Sequence, residues 1–290
     1  MKTRYVLVTP VHNEQQLLDQ VIASVVSQTI LPGKWFIVDD GSTDDSPNII
    51  KRYENKYAFI SYLRFDEHCQ ESYYSRRVSV VLHGIEAAKN LEYDFLGVLD
   101  GDITLEKTYY EAILQEFERN TKLGIASGIY VNKCGDSLQS VLIDANHTPG
   151  GIQMFRRQCY EKIGGYIPQR YGGDDSCAEI MARMRGWQTR SFSKYRVIHH
   201  RPTGTIGGAS IIRARFRQGL AEYGVATHPL FMVAKSIRRA VLEKPYFIGS
   251  ISRLFGFLYG YCLREERKFP PEAIRFVRKE QMRRLFGRAI

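Results

Sequence analysis

The chain has 290 residues, 44% of them hydrophobic, with 41 Lys+Arg against 31 Asp+Glu and a formal charge of +10. This is the length of one large domain or a domain with an appendage, and the composition excludes disordered, collagen-like and low-complexity classes. The charge is uneven: residues 206–290 hold 17 Lys+Arg and 6 Glu, whereas residues 1–205 hold 24 basic and 25 acidic side chains. A near-neutral body with a basic tail points to an anionic partner for the tail.

Tyr5–Thr9 reads as a short buried strand, ended by Pro10 and the polar group His12–Asn13–Glu14. Leu17, Leu18, Val21, Ile22, Val25 and Val26 recur at helical spacing, and Trp35–Val38 is a second apolar run that ends in Asp39–Asp40–Gly41–Ser42–Thr43–Asp44. Strand, helix and strand in this order build a parallel sheet, in which ligands collect at the carboxyl ends of the strands. Phe59–Leu63 predicts a third strand, Val78–Leu91 a helix, and Phe95–Leu99 a buried strand that stops at Asp100–Gly101–Asp102. Thr108–Asn120 is an amphipathic helix pattern and Ile125–Val131 a strand, while residues 132–148 have weak periodicity and read as loop or irregular strand. Gly150–Phe155 is strand-like, Arg157–Ile163 and Asp174–Arg185 are helical stretches stopped by glycine, and Thr189–His199 is the last strand of the body.

After about residue 205 strand signals vanish and basic helices take over, at Ile211–Tyr223, Leu230–Leu242 and Pro271–Phe286. Between them, Tyr246–Leu263 carries a single charge, Arg253, but is too polar and too interrupted by Gly249, Gly256 and Gly260 for a membrane span. Two readings fit it: a segment lying in the membrane interface, or a helical lid packed on the body; the two are compatible. The five cysteines, scattered and never spaced C-x-x-C, argue against a disulfide framework or a zinc site and for a reducing compartment. The first apolar run is too short for a signal peptide, so no secretory address is expected.

Two carboxylates as close as Asp100 and Asp102, at a strand end, repel unless a cation neutralises them, and a hard divalent cation bridging phosphate oxygens is the usual solution. Taken alone the triplet is also what any solvated turn carries. Asp39 and Asp40 form a second acidic strand end, and Arg76 and Arg77 precede the helix that leads to the Asp100 strand, where a pyrophosphate is within reach of a guanidinium. Gly172–Gly173–Asp174–Asp175 opens a helix closed by Gly186–Trp187, and His199–His200 ends the last body strand. Capping of that helix is the plain alternative for Asp174 and Asp175, core packing is the plainer reading of Trp187, and His12, His68, His83, His147 and His228 read as structural.

In this order the motifs V-T-P-V-H-N-E, V-D-D-G-S-T-D, D-G-D, G-G-I-Q-M-F-R-R with I-G-G-Y, and G-G-D-D with R-G-W resemble the family 2 glycosyltransferases of GT-A fold, over about residues 4–200. The resemblance implies an α/β fold, a Rossmann-like and mainly parallel sheet flanked by helices, for a catalytic domain at 1–205, with 206–290 as a basic helical region. It implies that Thr9, Pro10, Glu14, Asp39, Asp40, Arg77, Asp100 and Gly101 serve the nucleotide sugar, with Asp40 reading the base. It implies that Asp102 and either His199 or His200 bind Mg2+ or Mn2+, that Gly150, Gly151 and Asp174 lie on the acceptor side, and that Asp175 is the catalytic base.

The expected activity is metal-dependent, inverting transfer of one sugar, with a UDP-sugar favoured as donor, to a hydroxyl of a polyprenyl-diphosphate-linked glycan. The expected place is the cytoplasmic face of the cell membrane, with residues 206–290 on anionic lipid. The stretch Arg213–Gln218 lacks the Q-x-x-R-W pattern of processive synthases, so single transfer is expected. The alternatives are transfer directly to polyprenyl phosphate and, outside enzymes, nucleic-acid binding or a non-catalytic scaffold. The aromatic residues of 247–261 cluster with aliphatics as a membrane face would, and the tail carries no recognised nucleic-acid module, so no nucleic acid is expected.

Overall fold

The computed structural model describes residues 4–66, 72–134, 137–141, 143–201 and 210–287. His68 and Cys69, and the first residues of the expected basic region, 206–209, lie outside the described residues.

The chain opens as β1 (Tyr5–Val11), α1 (Leu18–Val26), β2 (Lys34–Asp39), α2 (Ser46–Lys56) and β3 (Ile60–Arg64), then crosses through α3 (Tyr73–Ala87) to β4 (Phe95–Val98). β1, β2, β3 and β4 are parallel and lie in the order β3-β2-β1-β4. The chain thus steps outward from β1 on one side and resumes on the other, and this reversal leaves a crevice at the carboxyl ends of β1 and β4. α3 starts five residues earlier than the periodicity indicates, because the Ser72 side chain caps it by accepting from the Ser75 N–H at 3.2 Å. That early start puts Arg76 and Arg77 in the first two turns, beside the crevice.

The sheet continues through β5 (Ile103–Thr104), β6 (Leu123–Cys134), β7 (Ser137–Ser140), β8 (Met154–Arg156) and β9 (Gln188–His199), with α4 (Tyr109–Arg119), α5 (Arg157–Ile163) and α6 (Asp174–Met184) outside it. Its order is β3-β2-β1-β4-β8-β6-β9-β5, with β7 paired to β6. β8 is antiparallel to both β4 and β6, whereas β9 runs parallel to β6. Gly150–Phe155, read as one strand, divides into a 3-10 turn at Gly150–Ile152 and the short β8.

Alternation along β1 sends Tyr5 and Leu7 into one apolar layer with α1 and α4, and Val6 and Val8 into a second layer with α3, α5 and α6. Both faces of the strand are covered, which is why it reads as an unbroken apolar run.

The C-terminal helices are α7 (Ile211–Gly224), α8 (Pro229–Leu242), α9 (Ile248–Leu263) and α10 (Pro271–Leu285). α10 places Ala273 and Val277 in the second apolar layer. α7 and α9 touch backbone to backbone: a Cβ on Gly219 would fall 1.9 Å from the Arg253 carbonyl oxygen, and one on Gly256 would fall 1.9 Å from that of Phe216. The glycines that break the hydropathy of 246–263 are therefore the contact surface of a helix pair. The other side of these helices stays uncovered, with Ile237 67%, Phe247 62% and Phe255 63% exposed, and Leu230, Val233, Val241 and Ile251 beside them. One side of 246–263 thus packs on α7 and the other presents apolar surface. Among the described residues no helix is long and apolar enough to cross a membrane.

Candidate active site

One continuous cavity of about 1510 Å³ runs from the crevice between β1 and β4, along the start of α6, to the inner wall of α7, α8 and α9. At the crevice the wall is Pro10, Glu14, Asp40, Arg77, Asp100, Gly101 and Asp102. Arg76 grips both oxygens of Asp40 through its Nε, at 2.8 and 2.9 Å. Arg77 holds Asp100 Oδ1 through Nε at 3.0 Å and Nη2 at 2.5 Å, and its Nη1 lies 3.7 Å from Asp174. A guanidinium between two carboxylates fixes both.

Asp102 lies beside His199, with Nε2 at 3.4 Å, and beside the Arg201 guanidinium, with Nε at 3.2 Å. Burial opposes its ionisation, but His199 and Arg201 prevail and hold the carboxyl below its usual range. The other branch of Arg201 reaches Glu14, whose pKa burial nonetheless raises to about 7. Asp102 and His199 offer a carboxylate oxygen and an imidazole nitrogen, donors that a divalent cation such as Mn2+ or Mg2+ accepts. The Arg201 guanidinium between Asp102 and Glu14 opposes a second cation there and would have to give way to one, but the oxygen and nitrogen donors of Asp102 and His199 fit a divalent ion. Among the described residues no three His, Cys, Asp or Glu side chains converge as a complete ligand set, so oxygens from a bound substrate would have to finish the shell.

Further along the wall, Gly172 and Gly173 adopt φ of +87° and +99°, a conformation that favours glycine, and turn the chain into α6. The first helical residues are Asp174 and Asp175. Asp174 is buried, and burial together with the neighbouring Asp175 charge raises its pKa to about 7. Asp175 is held from two sides: the Ser176 N–H donates to Oδ1 at 2.7 Å and the Gly150 N–H to Oδ2 at 3.2 Å. The 3-10 turn that replaces the expected strand makes this contact through Gly150. It also brings Gly151 against Asp100, leaving no room for a side chain between them.

His147, which sequence reasoning took as structural, stands behind Asp175 with Nε2 at 3.9 Å from Oδ2 and Nδ1 3.2 Å from Glu179. Burial disfavours its charge, but Glu179 and then Asp175 outweigh that and raise its pKa to about 9, so an imidazolium backs the carboxylate at neutral pH. Glu179 is itself anchored by the Thr148 N–H and by its hydroxyl at 2.7 Å. The one signal in sequence was Glu179 a helical turn after Asp175; its partner comes from a stretch without periodicity.

Three of the expected residues stand outside the cavity wall. Thr9 is buried and accepts from the Trp35 indole N–H at 2.9 Å. Asp39 is enclosed and takes bonds from Arg64 at 2.5 Å, Tyr62 at 3.0 Å and the Ser42 N–H at 2.9 Å, so it braces the β2 turn. His200, just past the end of β9, pairs with Thr104 at 2.9 Å, whereas His199 stands beside Asp102. Trp187 packs against the second apolar layer, away from the cavity. Besides His147, the cavity gains Arg201 and Arg217, whose guanidinium lies 4.1 Å from the Tyr74 ring centre and donates to the Tyr171 carbonyl at 2.7 Å.

A sequence model described as Glycosyl transferase family 2 matches residues 6–218. Chondroitin synthase of Pasteurella multocida is 29% identical over 140 residues, which is 48% of this chain and 14% of that protein. The chain thus corresponds to a small part of that relative's length. In three dimensions it is similar to the mannosyltransferase PcManGT from Pyrobaculum calidifontis in complex with GDP-Man and Mn2+, with a TM-score of 0.58 and 15% identity over 100% of this chain and 77% of that one. It is similar as well to residues 1–349 of S. aureus TarS in complex with UDP-GlcNAc, with a TM-score of 0.57 and 13% identity over 97% of this chain and 81% of that one. These likenesses show the fold, a GT-A arrangement.

Proposed function

The chain belongs to glycosyl transferase family 2, and on that premise we propose that it moves one sugar from a nucleotide sugar to a hydroxyl of a polyprenyl-diphosphate-linked glycan, with inversion, at the cytoplasmic face of the cell membrane. The observation that carries the reading is the single cavity in which the Asp100–Asp102–His199 group and Asp175 face the same space. A nucleotide sugar lying over the β1 and β4 ends has its base beside Asp40 and its diphosphate beside Asp102. PcManGT binds GDP-Man and TarS binds UDP-GlcNAc, so this fold takes either base.

Asp175 is the proposed base. Its carboxylate is held by the Gly150 and Ser176 N–H groups and backed by His147, and it takes the proton of the acceptor hydroxyl as the oxygen attacks the anomeric carbon. Asp102 and His199 are the residues that would hold Mn2+ or Mg2+, whose charge offsets that of the departing nucleoside diphosphate. Arg217 closes the acceptor end of the cavity. The lipid part of the acceptor would lie along the uncovered side of α8 and α9, where Ile237, Phe247 and Phe255 are exposed.

Transfer of labelled sugar to a polyprenyl-diphosphate-linked saccharide tests the reading. Asp175→Asn is expected to abolish that transfer while leaving donor binding intact. Near-normal transfer to that saccharide by Asp175→Asn would overturn Asp175 as the base, whereas transfer to polyprenyl phosphate that Asp175→Asn leaves unchanged would assign a phosphate acceptor, which needs no proton removed.

A further inference from the structure

We propose that Arg215, Arg239 and Arg253 form a phosphate-binding site in the part of the cavity wall built by the C-terminal helices. Arg253 is the lone charge of the 246–263 stretch, and it is 2% exposed. A buried guanidinium requires a carboxylate, and Glu243 supplies one: Arg253 Nη2 lies 3.0 Å from its Oε2. The same carboxylate is shared with Arg239 Nη1 at 2.8 Å and Arg215 Nη1 at 2.7 Å. Gln218 Oε1 accepts from Arg253 at 2.7 Å and from Arg215 at 3.1 Å, which contributes a dipole but no charge. The neighbouring Lys235 and Glu222 neutralise each other. Three guanidiniums on one carboxylate therefore leave two positive charges in excess on groups largely withdrawn from water.

Burial and mutual repulsion press on these arginines, and a ligand with two negative charges relieves both. The fork of a guanidinium matches the oxygens of a phosphate group. Leu242, Pro245, Tyr246 and Ile248 line the same wall and lead to the uncovered Phe247 and Ile251. The ligand is thus a phosphate or diphosphate group, and its source is either free in solution or the head of an amphiphile whose chain lies along that apolar surface. Assigning it to the acceptor rests on the function proposed above; the anion site itself does not.

The test is equilibrium binding of inorganic pyrophosphate and of farnesyl diphosphate to the full chain, in chelator, for wild type, Arg239→Gln, Arg253→Gln and Glu243→Gln, with folding checked by circular dichroism. Arg239→Gln and Arg253→Gln are expected to weaken pyrophosphate about tenfold or more, and Glu243→Gln to tighten it, since it removes the competing carboxylate. A merely structural cluster gives no such opposite pair of effects. Tighter binding of farnesyl diphosphate than of pyrophosphate assigns a lipid source, and equal affinities overturn that source in favour of free phosphate. If buried Arg253→Gln fails to fold, the less buried Arg239→Gln and Glu243→Gln decide. Affinity for pyrophosphate unchanged in both of those overturns the site. Donor binding and hydrolysis followed on the same variants keep the readings apart, because none of these residues touches the donor end: a wild type that neither binds nor hydrolyses any donor but shows the opposite pair of affinity changes refutes the transferase and keeps the anion site.

Discussion

Gly151→Ala isolates the contact between the acceptor-side turn and the donor-side carboxylate. A Cβ built on Gly151 falls 2.3 Å from Asp100 Oδ2 and 2.7 Å from the Tyr130 hydroxyl oxygen. To regain a tolerable separation the Asp100 carboxylate has to retreat by about 1 Å, and with it goes the Arg77 guanidinium bound at 2.5 and 3.0 Å. A misplacement of that size at a reacting centre costs about 100-fold, or about 2.7 kcal/mol of activation free energy. The overpacking itself is expected to lower stability by about 1–3 kcal/mol, which leaves the fold intact. The assay is metal-dependent release of nucleoside diphosphate from the donor that wild type hydrolyses, with Gly33→Ala as control, since a Cβ there meets nothing closer than 3.7 Å. Turnover by folded Gly151→Ala within threefold of both wild type and control would refute the claim that Asp100 is positioned by this turn.

Two further predictions concern the C-terminal helices. Lys235 and Thr227 hold Glu222 ionised against its burial and bring its pKa down to about 2, so its contribution is complete above the ordinary carboxylate value of 4.5 and is lost as pH falls toward 2. The wild type is therefore expected to lose up to about 3 kcal/mol between pH 5 and 2 that Glu222→Gln does not lose, read as the pH dependence of Tm, and parallel curves would remove the argument. Gly256→Ala drives a methyl group into the Phe216 carbonyl oxygen, forcing α7 and α9 apart. A fall in Tm of several degrees, from about 1–3 kcal/mol of overpacking, is expected in a thermal melt, whereas an unchanged Tm would deny the close helix contact.

What the sequence conveyed well was everything governed by local periodicity. The unbroken apolar runs of β1, β2 and β4 and the acids at their ends follow from burial on both faces and from topology, so the crevice and most of its wall were legible. The choice between His199 and His200 was not, because it depends on which face of β9 meets the β4–β5 turn. Thr9 and Asp39 sit in the right motifs, yet the Trp35 indole and the Arg64 guanidinium claim them from the far side of the strands, and such partners leave no spacing to read. His147 is legible only through Glu179, 32 residues away in the chain, and Arg201 only through Glu14, 187 residues away. The glycines of 246–263 looked like interruptions because their function, admitting the α7 backbone, lies on another helix.

The central claim is that Asp102 and the β1–β4 crevice bind and activate a nucleotide sugar. The most direct measurement is release of nucleoside diphosphate by the purified full chain from UDP-, GDP- and dTDP-sugars, with Mn2+, Mg2+ or chelator, beside Asp102→Ala. The account predicts slow hydrolysis of one donor that requires the divalent ion and disappears in Asp102→Ala. Absence of both turnover and binding for every donor, or turnover that survives Asp102→Ala unchanged, would contradict it.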